Sequence, residues 1–176
     1  VTTPTPPPPE PPVGLAEPDE LLPAFLDHYR DTVLRKLDGL SDEELRTSRL
    51  PSGWTPLGLL KHLAYVERRW FRWGFAAEKV RAYADPEGRD GDADWVLEPH
   101  DTPASVREFF RHEVACSRRI TAAARYTDRA RLGEGFEADE EPPTLAWIMA
   151  HMLQEYARHA GHLDVARELA DGVVGE

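Results

Sequence analysis

Cysteine is nearly missing from this chain, and that shortage already limits its chemistry. Cys116 stands alone among 176 residues. It cannot form an intrachain disulfide, which suits a reducing compartment, and it cannot found a cysteine-rich zinc cluster. A metal held here must therefore use histidine and carboxylates. Long apolar runs are also missing. Nothing approaches the ~20 apolar residues of a bilayer span, and the first twenty residues lack the basic start and apolar run of a secretory signal. The expectation is a cytoplasmic protein with no membrane partner. Basic charge is short as well: 21 Lys and Arg stand against 32 Asp and Glu, a net charge of −11. A field of that sign repels phosphate backbones and anionic lipid, so no nucleic-acid partner is expected. Lysine occurs only at Lys36, Lys61 and Lys79. With plentiful Arg, Ala, Gly and Pro, this is the composition of a GC-rich coding sequence.

What is present is helical periodicity. The length suits one domain with a full core. Residues 1–19 carry too many prolines for a helix and too few apolar side chains to pack, so they read as an extended, mobile tail outside the fold, with residues 20–176 as the domain. From Glu20, Leu22, Phe25, Leu26, Tyr29, Val33, Leu37 and Leu40 recur at helical spacing, and Gly39 lies near the stop. Turn residues follow. A second helix, with Thr55 as N-cap and Pro56 after it, carries Leu59, Leu60, Leu63, Val66, Trp70 and Trp73 on its stripe. Residues Glu78 to Thr102 form a polar connection, long enough for a crossover or an active-site loop. A third helix opens at Thr102 and Pro103, and a fourth runs from about Thr144 to Asp171 before Gly172. No alternating β pattern competes, so the expected fold is all-α, a four-helix bundle.

Three of the seven histidines fall within "HMLQEYARHAGHLD", His151 to Asp164. At 100° per residue the stripe of this helix is set by Leu145, Ile148, Met152, Tyr156, Leu163, Ala166 and Ala170, and His159 lies inside it. Glu155 sits about 40° from His159 and one turn away, so both side chains can reach one point. On the second helix, His62 lies at the border of the buried face. A carboxylate and imidazoles buried without partners would be costly, and a divalent cation held by His62, Glu155 and His159 would offset their desolvation. Three protein ligands leave one position open, which in zinc chemistry marks a catalytic site. The same spacing also suits a plain polar pair at a bundle edge. His151 and His162 fall on the flank and are expected beside the ligands, holding them or meeting the substrate. Glu113 and Ser117 face the apolar side of the third helix, either as a base beside the site or as a hydrogen-bonded pair. Glu108 and His112 share the four-residue spacing but project into solvent. Cys116 reads as a small core residue with no histidine placed to activate it. His28 and His100 read as surface, and Trp54, Trp70 and Trp73 as bundle filling or walls of the site.

"LPSGWTPLGLLKHLAYVERRWF", followed about ninety residues later by "TLAWIMAHMLQEYARHAGHLDVARELADG", resembles the DinB/YfiT-like superfamily of metal-binding helical proteins, in particular its actinobacterial branch. The resemblance covers nearly everything after the proline tail. It implies a four-helix bundle with a long crossover between helices two and three. It also implies a divalent metal held at the positions of His62, Glu155 and His159. Glutamate at position 155 looks like the version in the mycothiol-dependent maleylpyruvate isomerases. A carboxylate in the set suits zinc, nickel, manganese or iron. The resemblance implies mycothiol as the thiol, a small-molecule substrate and a homodimer. Two functions are then expected: a metalloenzyme activating a thiol or water toward a small electrophile, or a non-catalytic bundle that binds a ligand or partner with a structural metal or none.

Overall fold

The computed structural model describes residues 7–85, 91–139 and 141–174. Residues 1–6 of the tail, 86–90 of the long connection, 140, and the last two residues lie outside the described residues. Among the described residues the chain is all-helical, with no β-strand; the isolated bridge between Arg129 and Thr144 is its only ladder-type pairing there. The helices are α1 (Pro18–Lys36), α2 (Asp42–Arg46), α3 (Pro56–Glu67), α4 (Pro103–Ala122) and α5 (Leu145–Asp171).

Three of the long helices, α3, α4 and α5, start where a threonine side chain accepts from a backbone donor of the first turn. Thr55 accepts from Gly58 N at 3.0 Å, Thr102 from Ser105 N at 3.0 Å, and Thr144 from Trp147 N at 3.3 Å. α5 ends on Gly172, whose φ of 75° is open to glycine at little cost. α1 begins two residues before Glu20, because Pro18 suits the first helical position and Asp19 and Glu20 complement the positive helix end. α2 lies in the stretch expected to be turns. Ser41 and Glu44 close a reciprocal capping box there, which the S-D-E-E run encodes.

The second long helix departs from the expected phase. α3 does not stop at Glu67 but widens into a π-helix over Arg68–Phe75, with Ala76 N donating to Phe71 O at 2.9 Å. The wider turn slips the apolar stripe, so Phe71, Gly74 and Phe75 are buried where Trp70 and Trp73 were expected. The two indoles lie half-buried at the edge.

α1 packs along α5 and α3 along α4, with α3 also meeting α5. Leu26 and Val33 of α1, Leu59 and Leu63 of α3, Phe110 of α4, and Ile148, Met152 and Tyr156 of α5 meet in one core. Inside it, Arg30 binds Glu67 through two hydrogen bonds of 2.8 Å, and the Tyr156 hydroxyl donates to the same carboxylate at 2.7 Å. α1, α3 and α5 are thus joined by a buried, mutually satisfied polar group. The described tail residues 7–17 are not helical, and Pro9 O lies 3.1 Å from His28 Nδ1, which leaves that histidine half-buried under the tail. No helix of the described residues is long and apolar enough to cross a membrane.

Candidate metal centre

α3 supplies His62 and α5 supplies Glu155 and His159. Each offers a ligand atom, and the three atoms all lie within 4.8 Å of one another. The four-residue step along α5 stacks Glu155 and His159 on one face, with His159 Nε2 3.3 Å from Glu155 Oε2. Burial drives both imidazoles toward their neutral forms. It holds the His62 pKa down to about 3, with His159 and Arg69 adding repulsion, and it lowers that of His159 against the opposing pull of Glu155. Neutral imidazole is the form that donates a lone pair to a metal. His62 Nδ1 is buried with no hydrogen-bond partner. An orphaned buried nitrogen beside a carboxylate and a second neutral imidazole is a donor set that a divalent ion fits.

The neighbouring aromatic rings fix this arrangement. Trp95 stacks on His62, with ring centroids 4.0 Å apart and planes 15° apart, and meets His159 edge-on at 5.3 Å. His162 Nδ1 lies 3.3 Å from His159 Nδ1, which ties up that nitrogen and leaves Nε2 on the Glu155 side. His151 Nε2 is 3.9 Å from Glu155 Oε1, and its ring stacks on Trp147 at 5.1 Å and meets Trp70 at 4.5 Å.

A family model described as mycothiol-S-transferase matches residues 21–172. The chain belongs to the mycothiol-S-transferase family. That family lies within the DinB/YfiT-like superfamily, so the likeness read from the two quoted segments holds. None of the curated proteins compared with the chain matches it. The family is one of mycothiol-related transferases, and His62, Glu155 and His159 form the candidate metal site of this member.

Of the residues singled out in the sequence, His62, Glu155 and His159 come together, and His151 and His162 touch them from the flanks. Glu113 does not join them. It is fully buried but receives Arg68 at 2.7 and 3.1 Å and Arg72 at 3.2 Å, while the Ser117 hydroxyl donates to its backbone carbonyl. Glu108 and His112 are exposed, yet His112 Nε2 reaches to 3.6 Å from Cys116 Sγ, one turn along α4, and Arg119 donates to that sulfur at 3.1 Å. Cys116 therefore has a histidine beside it, contrary to the expectation, because an exposed side chain can fold back along its own helix. His100 is exposed. Trp95 lies in a polar connection without periodicity, so no helical pattern marks it in the sequence. A lone indole amid Asp and Gly was the available signal.

Proposed function

We propose that this member of the mycothiol-S-transferase family is a divalent-metal-dependent enzyme that transfers the sulfur of mycothiol to a small electrophile. The observation that carries the reading is the convergence of His62, Glu155 and His159 within 4.8 Å, in a chain of this family. The expected fold is the DinB-type four-helix bundle of α1, α3, α4 and α5, with the connection between α3 and α4 as its crossover. Zinc is the favoured ion; nickel, manganese and iron also accept two imidazoles and a carboxylate. A divalent ion there supplies Lewis acidity, which favours the deprotonated form of a thiol or water.

The chain's own residues do the rest. His62 and His159, kept neutral by burial, offer lone pairs, and His162 fixes the ring of His159. Glu155 adds the single negative charge of the set and is steadied by His151. Trp95 covers His62 and excludes water from that side. In the transfer the thiol proton goes to solvent, sulfur bonds to the electrophilic carbon, and the leaving group departs with its bonding pair.

The test is thioether formation from mycothiol and 1-chloro-2,4-dinitrobenzene, releasing chloride. Metal-loaded protein should exceed His159→Ala by about 100-fold, the scale on which loss of an electrostatic stabiliser acts; equal rates would overturn the reading. A second reading, a ligand-binding bundle with a structural ion, requires a fourth protein ligand, His151 or His162, to close the shell. X-ray absorption separates the two, since a third imidazole in the coordination shell supports the structural ion. The proposal places the protein in the cytoplasm as a homodimer, and light scattering at twice the monomer mass tests the latter.

A further inference from the structure

A cavity of about 450 Å³ opens at the start of α5, between that helix, the π-helix and the loop that precedes α5. Its volume lies within the roughly 300–1,000 Å³ of small-molecule sites. Trp70, Phe136, Pro142, Pro143 and Trp147 give it apolar walls. One imidazole separates it from the candidate metal centre. His151 stacks on Trp147, meets Trp70 at 4.5 Å and holds its Nε2 3.9 Å from Glu155 Oε1.

Each wall is fixed by local structure. The π-helix brings Trp70 to the edge of the bundle. Trp147 stands in the first turn of α5, where the Thr144 cap holds its backbone. Phe136 comes from a loop laid directly on the π-helix: a Cβ on Gly135 would come within 2.8 Å of Gly74 Cα, and Arg131 N donates to Phe75 O at 3.0 Å. Walls set in this way bind without the cost of ordering a loop. Trp147 remains 51 % exposed although it touches both Trp70 and His151, so its ring keeps surface free to meet a ligand.

Polarity narrows what fits. Arg129 and Glu141, the charged residues of the lining, bond each other at 2.8 Å, and Arg129 donates to Pro142 O at 3.0 Å. The N–H groups of the first turn of α5 are also taken: Leu145 N donates to Asp128 O, Ala146 N to Tyr126 O, Trp147 N to the Thr144 hydroxyl and Ile148 N to Thr144 O. An anion finds no open donor among these groups, and a cation meets the positive end of a helix. An uncharged ligand remains. The indole face carries the negative side of its quadrupole, which stacks best on a ring of opposite polarisation, one depleted of electrons. Electron depletion is also what lets an aromatic carbon accept a thiolate.

We infer that this cavity seats the electrophile, and that the electrophile is an uncharged, electron-poor aromatic compound whose ring stacks against Trp147 and Trp70. The assignment rests on the thiol-transferase reading but is tested apart from it. The probe is 1,3-dinitrobenzene, which has neither a leaving group nor a thiol, titrated calorimetrically into the full chain. Binding should be equal in wild type and His159→Ala, and about tenfold weaker in Trp147→Ala and in Glu141→Trp, which fills the cavity from an exposed position. The second variant keeps the test valid if the first does not fold. No binding to wild type, undiminished binding to Glu141→Trp, loss in His159→Ala, or equally tight binding of nitrocyclohexane or benzyltrimethylammonium would overturn the assignment. Conversion of a wild-type dimer into monomer by Trp147→Ala would overturn it too, by giving the wall to a second copy of the chain. A protein that binds the probe yet lacks metal and turnover would defeat the enzyme reading while supporting the aromatic cavity.

Discussion

Arg30, Glu67 and Tyr156 show what single residues contribute below the surface. Burial lowers the pKa of the Arg30 guanidinium, but the Glu67 carboxylate outweighs it and the pKa lies above the usual value. Breaking such a pair leaves an uncompensated buried charge. Glu67→Gln should cost about 3–5 kcal/mol in urea unfolding, whereas Tyr156→Phe, which leaves both arginine contacts in place, should cost about 1 kcal/mol. Equal small losses would show the group to be weakly coupled to folding. Glu67 was not legible in the sequence, since a glutamate inside an apolar period looks like an interruption until its partner on another helix is known. Glu155 and His159 were legible because one helical turn fixes them on one face, whatever the rest of the chain does. His62 needed the packing of α3 against α5, and only its place at the stripe's border could be read.

At the scale of elements, the 3₁₀ turn that carries Trp95, Gly91–Trp95, is the piece most open to test. Gly58→Ala in a helix should ordinarily gain stability, by roughly 1 kcal/mol. Here the added methyl would come within 2.4 Å of Trp95 O, so the expected outcome is a loss of about 1–3 kcal/mol with red-shifted tryptophan emission; a gain in stability would contradict the close packing. Lys61 Nζ donates to Val96 O at 2.7 Å and to Asp101 at 2.8 Å, so acid should loosen the same turn. Burial pushes the Asp101 carboxyl up, but the Lys61 ammonium and the Glu98 N–H outweigh it and hold it below its usual value near 3.8. A carboxylate lowered on folding contributes stability that is present above 3.8 and lost as pH falls through its folded pKa. Tryptophan emission should therefore report release of the turn below that pH, and Asp101→Asn should show it released at neutral pH. Helix starts were legible from Thr-Pro pairs, because a cap is a local device. The π-helix was not, since one extra residue in a turn leaves no local mark and shows only as the misplaced phase of Trp70 and Trp73.

At the scale of the molecule, α3 and α5 each bring donors to one point, so an ion bound there joins two helices that otherwise meet through the core. Removing it should lower the melting temperature of wild type and leave a variant without the site unchanged, because a ligand that binds only the folded chain stabilises it by mass action. The all-helical class was legible from periodicity over long segments. The route of the connection between α3 and α4, and the wall it builds beside His62, depended on contacts far apart in sequence. The central claim is that His62, Glu155 and His159 hold a divalent ion. Its most direct test is metal content by mass spectrometry on untagged protein purified without chelator, beside His159→Ala. The account predicts near-stoichiometric metal in wild type and its loss in the variant. Wild-type protein that stays empty after incubation with zinc, nickel, manganese and ferrous iron would contradict it.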